Sequence, residues 1–283
     1  MQKIKYYFEL MRFHKPIGTL LLLWPALWAL WIAARGFPNI KNLFIFIFGV
    51  ILMRAAGCVI NDVADRKFDL NVTRTKLRPL TSGKISTRES IILFFILCII
   101  AFVLVLFTNK LTILLSFCAV VSAIIYPFMK RYTHWPQLFL GIAFSFSIPM
   151  AFAAETNHVS FIAWILMFAN ILWTIAYDTQ YAMTDREDDL KIGIKSTAIL
   201  FGKYDRVMIA LFQFGFICLL CILGFVEKFL SIYFIAICIA ILFFIYQQIL
   251  ISKREPSNGL RAFLNNWWVG MIIFLGILLK NTF

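Results

Sequence analysis

Two short segments hold seven of the 14 acidic residues in this 283-residue chain. The first reads Asn61-Asp62-Val63-Ala64-Asp65-Arg66-Lys67-Phe68-Asp69, an N-D-x-x-D-x-x-x-D pattern. The second reads Asp185-Arg186-Glu187-Asp188-Asp189 and contains D-x-x-x-D. Side chains four residues apart share a helix face. Asn61, Asp65 and Asp69 would therefore form one oxygen-rich stripe, and Asp185 and Asp189 another. Like charges at this spacing repel, so the arrangement is unfavourable without a counter-cation. Mg2+ is a hard cation that prefers oxygen ligands and is commonly held by a few carboxylates together with substrate phosphates. Two such stripes facing one another could hold Mg2+ against a diphosphate, where the metal neutralises the leaving group and orients it. A single acidic cluster is most simply a solvated loop face. Two clusters of matching spacing, each abutting an apolar run, favour the metal.

Basic residues lie close by. Arg54 sits seven residues before Asn61, two turns along the same face and inside an apolar run. A charge at the centre of a membrane helix costs about 2.5–3.5 kcal/mol on insertion scales and usually faces a cavity or a partner. Arg54 could bind an anionic substrate or pair with an Asp. Lys130 and Arg131 follow another apolar run, in Tyr126-Pro-Phe-Met-Lys130-Arg131-Tyr132. They either set topology or recognise a diphosphate or carboxylate, for which the planar fork of Arg is well suited. The six cysteines lie in apolar runs and read as small buried hydrophobes, and the three histidines are scattered. No Walker A, G-x-G-x-x-G or G-x-S-x-G pattern is present.

The elements that must position these residues are membrane helices. AVILMFWYC residues make up 62% of the chain and DEKR only 14%, which excludes a soluble enzyme, a disordered chain and a disulfide-rich scaffold. The net charge of +13 is then a matter of topology, and no nucleic-acid partner is expected. Nine apolar runs of spanning length cover approximately 17–34, 40–60, 90–108, 111–129, 137–154, 159–179, 206–225, 229–251 and 262–279. The first is read as a retained helix rather than a signal peptide, because it is long and carries Trp24, Trp28 and Trp31. Of the 27 Lys and Arg residues, 21 fall on the side of the N-terminus. That side is therefore cytoplasmic, and the C-terminus lies outside. Two connections, 61–89 and 180–205, are long and charged, and both lie on the cytoplasmic side. No linker divides the chain, so residues 1–283 read as one domain. The two acidic clusters, 124 residues apart, suggest two related halves followed by a ninth helix.

These segments resemble the UbiA-type intramembrane prenyltransferases. The resemblance covers essentially the whole chain. It includes Met11-Arg12-Phe13-His14-Lys15-Pro16-Ile17-Gly18-Thr19, Arg54-Ala-Ala-Gly-Cys-Val-Ile-Asn61-Asp62, Arg78-Pro79-Leu80 and the Y-x-x-x-K motif Tyr126–Lys130. The string from Trp173 through Tyr177, Asp178, Asp185 and Asp189 to Lys195-Ser-Thr discriminates best. It is similar to the branch of the family that acts on 4-hydroxybenzoate. His14 and Glu187 stand where many relatives carry Asp, and neither is a position expected at metal.

The resemblance implies an all-α bundle of nine transmembrane helices around a central cavity open to lipid, with its polar mouth on the cytoplasmic side. For a bacterial chain it implies the inner membrane. It implies Mg2+-dependent transfer of a polyprenyl group from polyprenyl diphosphate to the ring carbon of 4-hydroxybenzoate ortho to the hydroxyl, with no obligate protein partner. Asn61, Asp65, Asp69, Asp185 and Asp189 would hold the metal, with Asp62 behind them. Arg66, Lys67 and Lys130 would meet the diphosphate, and Tyr126 belongs to the substrate-binding motif. Arg131 is the first choice for the acceptor carboxylate, with Arg54 and Arg12 as alternates. Asp178 and Tyr177 would orient the hydroxyl or take the ring proton. Two other readings remain: transfer to a naphthoate, haem or lipid-type acceptor, or a transporter. Intramembrane Asp and Arg also mark ion paths, but secondary transporters place their sites near the midplane, whereas these carboxylates gather at one face.

Overall fold

A computed structural model describes residues 2–70 and 75–279; Arg74 and Lys280, which enter the charge count, lie outside them. Among the described residues the chain is all-helical, with no strand. A short amphipathic helix, α1 (Gln2–Leu10), precedes α2 (Ile17–Ala33), α3 (Ile40–Asp69), α4 (Thr87–Leu106) and α5 (Lys110–Tyr132). Then come α6 (Pro136–Ser145), α7 (Ser147–Thr156), α8 (Phe161–Ile192), α9 (Thr197–Phe201), α10 (Asp205–Val226), α11 (Ser231–Leu250) and α12 (Pro256–Leu278). Eight helical segments among the described residues are long and apolar enough to cross a membrane, counting α6 with α7 and α9 with α10. The apolar α2, with 17 residues, is shorter.

The helices follow one another around a closed ring. α2 packs on α3, α3 on α4, α5 on α6, α6 on α8, α8 on α10 and α11 on α12, and α12 returns to α2. Aromatic residues lock the inner seam: Trp173 stacks on Phe216 at 5.6 Å and meets Trp28 at 5.3 Å. The indole N–H groups of Trp28 and Trp173 donate to the Gly270 carbonyl (3.1 Å) and to Asn266 Oδ1 (2.9 Å). Buried amides continue the seam. Asn266 donates to Gln180 (2.9 Å), Gln180 and Gln213 both donate to Gln247 (3.0 and 2.9 Å), and Gln247 donates to Asn265 (3.0 Å).

Two features depart from the expected spans. The run at 137–154 is two helices broken at Phe146, because Pro149 lacks the N–H that would bond back to residue 145 and its ring crowds that carbonyl. The segments read as long loops are partly helical: α3 runs on to Asp69 and α8 to Ile192. α8 stops where Gly193 turns left-handed (φ 72°) and both Gly193 and Ile194 donate to the Asp189 carbonyl. The six cysteines form no disulfide, but only Cys58 is buried as expected, and Cys118 and Cys238 are exposed on the outside of the bundle.

Candidate active site

The extensions of α3 and α8 carry the acidic patterns, so both stripes are helical. A cavity of about 1300 Å3 opens between them. Along α3 it is lined by Arg54, Cys58, Asn61, Asp65 and Asp69, which recur every three or four residues, and by Asp62 next to Asn61. Along α8 it is lined by Tyr177, Asp178, Tyr181, Asp185 and Asp189. The C-terminal part of α5 adds Tyr126 and Lys130, and the turn before α2 adds Arg12. From this polar end the cavity runs the length of the bundle to Val105 at the far end of α4 and Thr112 on α5.

Asp62, Asp65 and Asp69 are all buried, and each is met by a cation. Arg12 donates to Asp62 Oδ1 (2.7 Å), and the same oxygen accepts from Arg78 (3.1 Å). Arg78 also donates to Asp69 Oδ2 (2.8 Å), and Lys130 pairs with Asp65 Oδ2. The second oxygens, Asp62 Oδ2 and Asp65 Oδ1, are buried without a hydrogen-bond partner. Leaving such an acceptor unmatched costs about 1–3 kcal/mol. Both orphaned atoms are hard oxygens in a cavity lined by Asn61 and six aspartates, and that donor set fits a divalent cation of the Mg2+ type. Among the described residues no three acidic, His or Cys side chains already converge on one point. The carboxylates are instead drawn out along the two stripes.

Deeper in the cavity, Arg54 donates to Cys58 Sγ and has its buried Nε without a partner. Its guanidinium lies across the backbone of Gly18 in α2, where any Cβ would strike it. Asp178, Tyr126, Tyr177 and Tyr181 are close enough to Arg54 to interact electrostatically. At the mouth, partial burial and then the adjacent Lys15 and Arg12 hold His14 below its ordinary pKa. The positive charge there comes from Arg12 and Lys15 rather than from His14.

Three residues expected at the substrate, Arg66, Lys67 and Arg131, do not line the cavity. All three are exposed. Arg66 donates to Thr87 Oγ1 (2.8 Å). Arg131 donates to the Ala64 carbonyl and lies over the rings of Phe68 and Phe128 (5.2 and 5.4 Å), bracing α5 against α3. Residues that sequence reasoning gave no role do line it, namely Arg78, Tyr181 and Lys195. Lys195 is held there by its backbone N–H on the Lys130 carbonyl (2.9 Å).

The family model of the UbiA prenyltransferases matches residues 22–272. The chain belongs to this family. A UbiA-family relative from Psychromonas ingrahamii, named 4-hydroxybenzoate octaprenyltransferase, is 58% identical over 98% of this chain and 97% of its own. One of the same name from Coxiella burnetii is 55% identical over the same shares. Among solved structures, a UbiA homolog from Aeropyrum pernix K1 superposes with a TM-score of 0.81 at 24% identity, covering 95% of this chain and 98% of its own. One from Archaeoglobus fulgidus bound to GPP and Mg2+ superposes with a TM-score of 0.71 at 17% identity, covering 96% and 99%. These two structural likenesses carry the UbiA fold.

Proposed function

We infer that this chain transfers a polyprenyl group from polyprenyl diphosphate to position 3 of 4-hydroxybenzoate, ortho to the hydroxyl, in a Mg2+-dependent step of ubiquinone biosynthesis. The observation that carries the reading is one cavity that joins two carboxylate stripes to an apolar tunnel, with the half-buried Arg54 between them. The names of the relatives supply the acceptor, and the UbiA homolog bound to GPP and Mg2+ supports the donor and the metal.

Asn61, Asp65, Asp69, Asp185 and Asp189 would hold Mg2+, with Asp62 behind them. When bound, Mg2+ neutralises the charge that develops on the diphosphate and orients it for departure. Lys130, Arg12 and Arg78 supply further N–H donors to the diphosphate oxygens, aimed where charge develops as the C–O bond breaks. In doing so Lys130 exchanges Asp65 for a phosphate oxygen. The apolar walls exclude water, so the allylic cation is captured by the electron-rich phenol ring rather than hydrolysed. Arg54, rather than Arg131, holds the acceptor carboxylate, because its guanidinium lies inside the cavity. Asp178 and Tyr177, beside it, orient the hydroxyl or take the ring proton.

The single domain, 1–283, spans the inner membrane of a bacterium nine times, with α2 as the first span and the α6–α7 pair as the fifth. The polar mouth and the N-terminus face the cytoplasm, and the C-terminus faces outside. Acceptor competition tests the functional reading. With one prenyl diphosphate and an equimolar mixture of 4-hydroxybenzoate, a dihydroxynaphthoate and a glycerol phosphate lipid, 4-hydroxybenzoate should be consumed first. Preferential prenylation of either competitor would reject it as the acceptor.

A further inference from the structure

Arg12 occupies a position that helices usually give to glycine. α1 ends in a Schellman motif: the Arg12 N–H donates to the Glu9 carbonyl (3.1 Å) and the Phe13 N–H to the Phe8 carbonyl (3.2 Å). The apolar contact that goes with this motif is present as well, the Phe8 and Phe13 rings lying 5.5 Å apart. Arg12 carries the left-handed backbone that the motif requires (φ 60°), a conformation that strains any residue with a Cβ. What the arginine adds there is its side chain, which crosses to α3 and donates to Asp62 Oδ1 (2.7 Å).

Asp62 is completely buried, and its Oδ1 also accepts from Arg78 (3.1 Å). One oxygen thus gathers two guanidinium groups that arrive on separate segments. The segments are themselves pinned together: Leu10, two residues before Arg12, and Leu80, two residues after Arg78, are buried with Ile85 in one apolar cluster against Ala55, Ala56 and Val59 of α3. Arg78 has a second hold on α3 through Asp69 Oδ2 (2.8 Å), so Arg12 is the arm that depends more on Asp62. Both arginines line the cavity. A guanidinium carries five N–H groups in a rigid fork, so fixing one edge of it directs the others. We propose that Asp62 is a positioning residue for the diphosphate: it acts through Arg12 and Arg78, turning their forks toward the phosphate oxygens, rather than through the metal.

This proposal rests on the prenyl-transfer reading, and the two fail differently. A purified full-length chain in detergent that shows no Mg2+-dependent transfer from geranyl diphosphate to 4-hydroxybenzoate would defeat that reading, and the proposal with it. In an active chain, Asp62→Asn should raise KM for geranyl diphosphate about tenfold, the scale of one hydrogen bond to a charged group. KM for 4-hydroxybenzoate and the Mg2+ concentration for half-maximal rate should stay within about twofold of wild type. Arg12→Gln should raise the donor KM alike. Asp62→Asn/Arg12→Gln should stay within about twofold of the worse single variant, because the two residues act as one unit. Independent roles predict about 100-fold in the double variant, and a place on the metal predicts a rise of about tenfold or more in the Mg2+ requirement. Either result, or an unchanged donor KM in Asp62→Asn, would overturn the proposal. A merely structural role would lower the yield of folded protein without separating the two KM values, and would overturn it too. If Asp62→Asn does not fold, Asp62→Glu, which keeps the charge and displaces it by one methylene, decides by the same separation of KM values and Mg2+ requirement.

Discussion

At the scale of single residues, the cavity sets the carboxylates of α3 and α8 beside Arg12, Arg54, Arg78 and Lys130. Asp65→Ala and Asp185→Ala should each lower turnover at least about 100-fold, the scale of losing one group that stabilises the transition state. Both should leave membrane insertion intact; near-normal turnover in Mg2+ would remove either residue from the diphosphate clamp. Arg54→Ala should raise KM for 4-hydroxybenzoate much more than KM for the prenyl diphosphate, whereas Arg131→Ala should affect the two alike and mildly. The stripes were legible in the sequence because a four-residue period survives any detail of packing. Arg131 was not, because its neighbour Lys130 points into the cavity and the next residue on a helix points about 100° away. Arg78 carried no periodic signal. It reaches Asp62 and Asp69 from a returning loop, 16 and nine residues further along, and only the folded chain makes that contact.

At the scale of elements, helix-to-helix approach sets where the charges sit. α2 can pass close to α3 at Gly18 only because no side chain there meets the Arg54 guanidinium. Gly18→Leu should therefore displace Arg54 and reproduce the acceptor defect of Arg54→Ala while sparing donor binding; an unaffected acceptor KM would contradict the packing argument. The amide seam holds α8, α10, α11 and α12 together. Gln247→Leu removes the partner of Gln180, Gln213 and Asn265 at once. At about 1–3 kcal/mol for each buried group left unsatisfied, it should lower the melting temperature in detergent clearly; an unchanged transition would show that the seam is not load-sharing. Hydropathy located these helices but not their ends. It marks where apolar residues stop, and α3 and α8 continue as helices beyond that point because their polar extensions line a cavity rather than forming loops. The break at Phe146 hid for a similar reason: Ser145, Ser147 and Pro149 sit in a run that stays apolar on average.

At the scale of the molecule, the ring of helices and the skew of charge make one claim about orientation. The cavity mouth and both stripes lie at the N-terminal end of the bundle, the side to which the nine-span reading of the sequence assigns 21 of the 27 basic residues. Alkaline phosphatase, active only when exported, should therefore be active when fused after Glu227 and inactive when fused after Lys253. The opposite pattern would invert the molecule and place the mouth outside. The all-helical architecture was readable from composition and run length alone. The cavity was not, because nothing in a run of apolar residues distinguishes those facing lipid from those facing an internal tunnel; Phe102 lines it while Phe95 on the same helix is exposed.

The most direct test of the central claim supplies the purified chain, in detergent or lipid, with geranyl diphosphate and 4-hydroxybenzoate. Products are followed by mass spectrometry, in Mg2+ and then in EDTA. The expected result is a 3-geranyl adduct that forms with Mg2+ and disappears with the chelator. An adduct that persists in EDTA would contradict the metal clamp. A folded protein that forms no adduct with this donor or with longer ones would contradict the prenyl transfer itself.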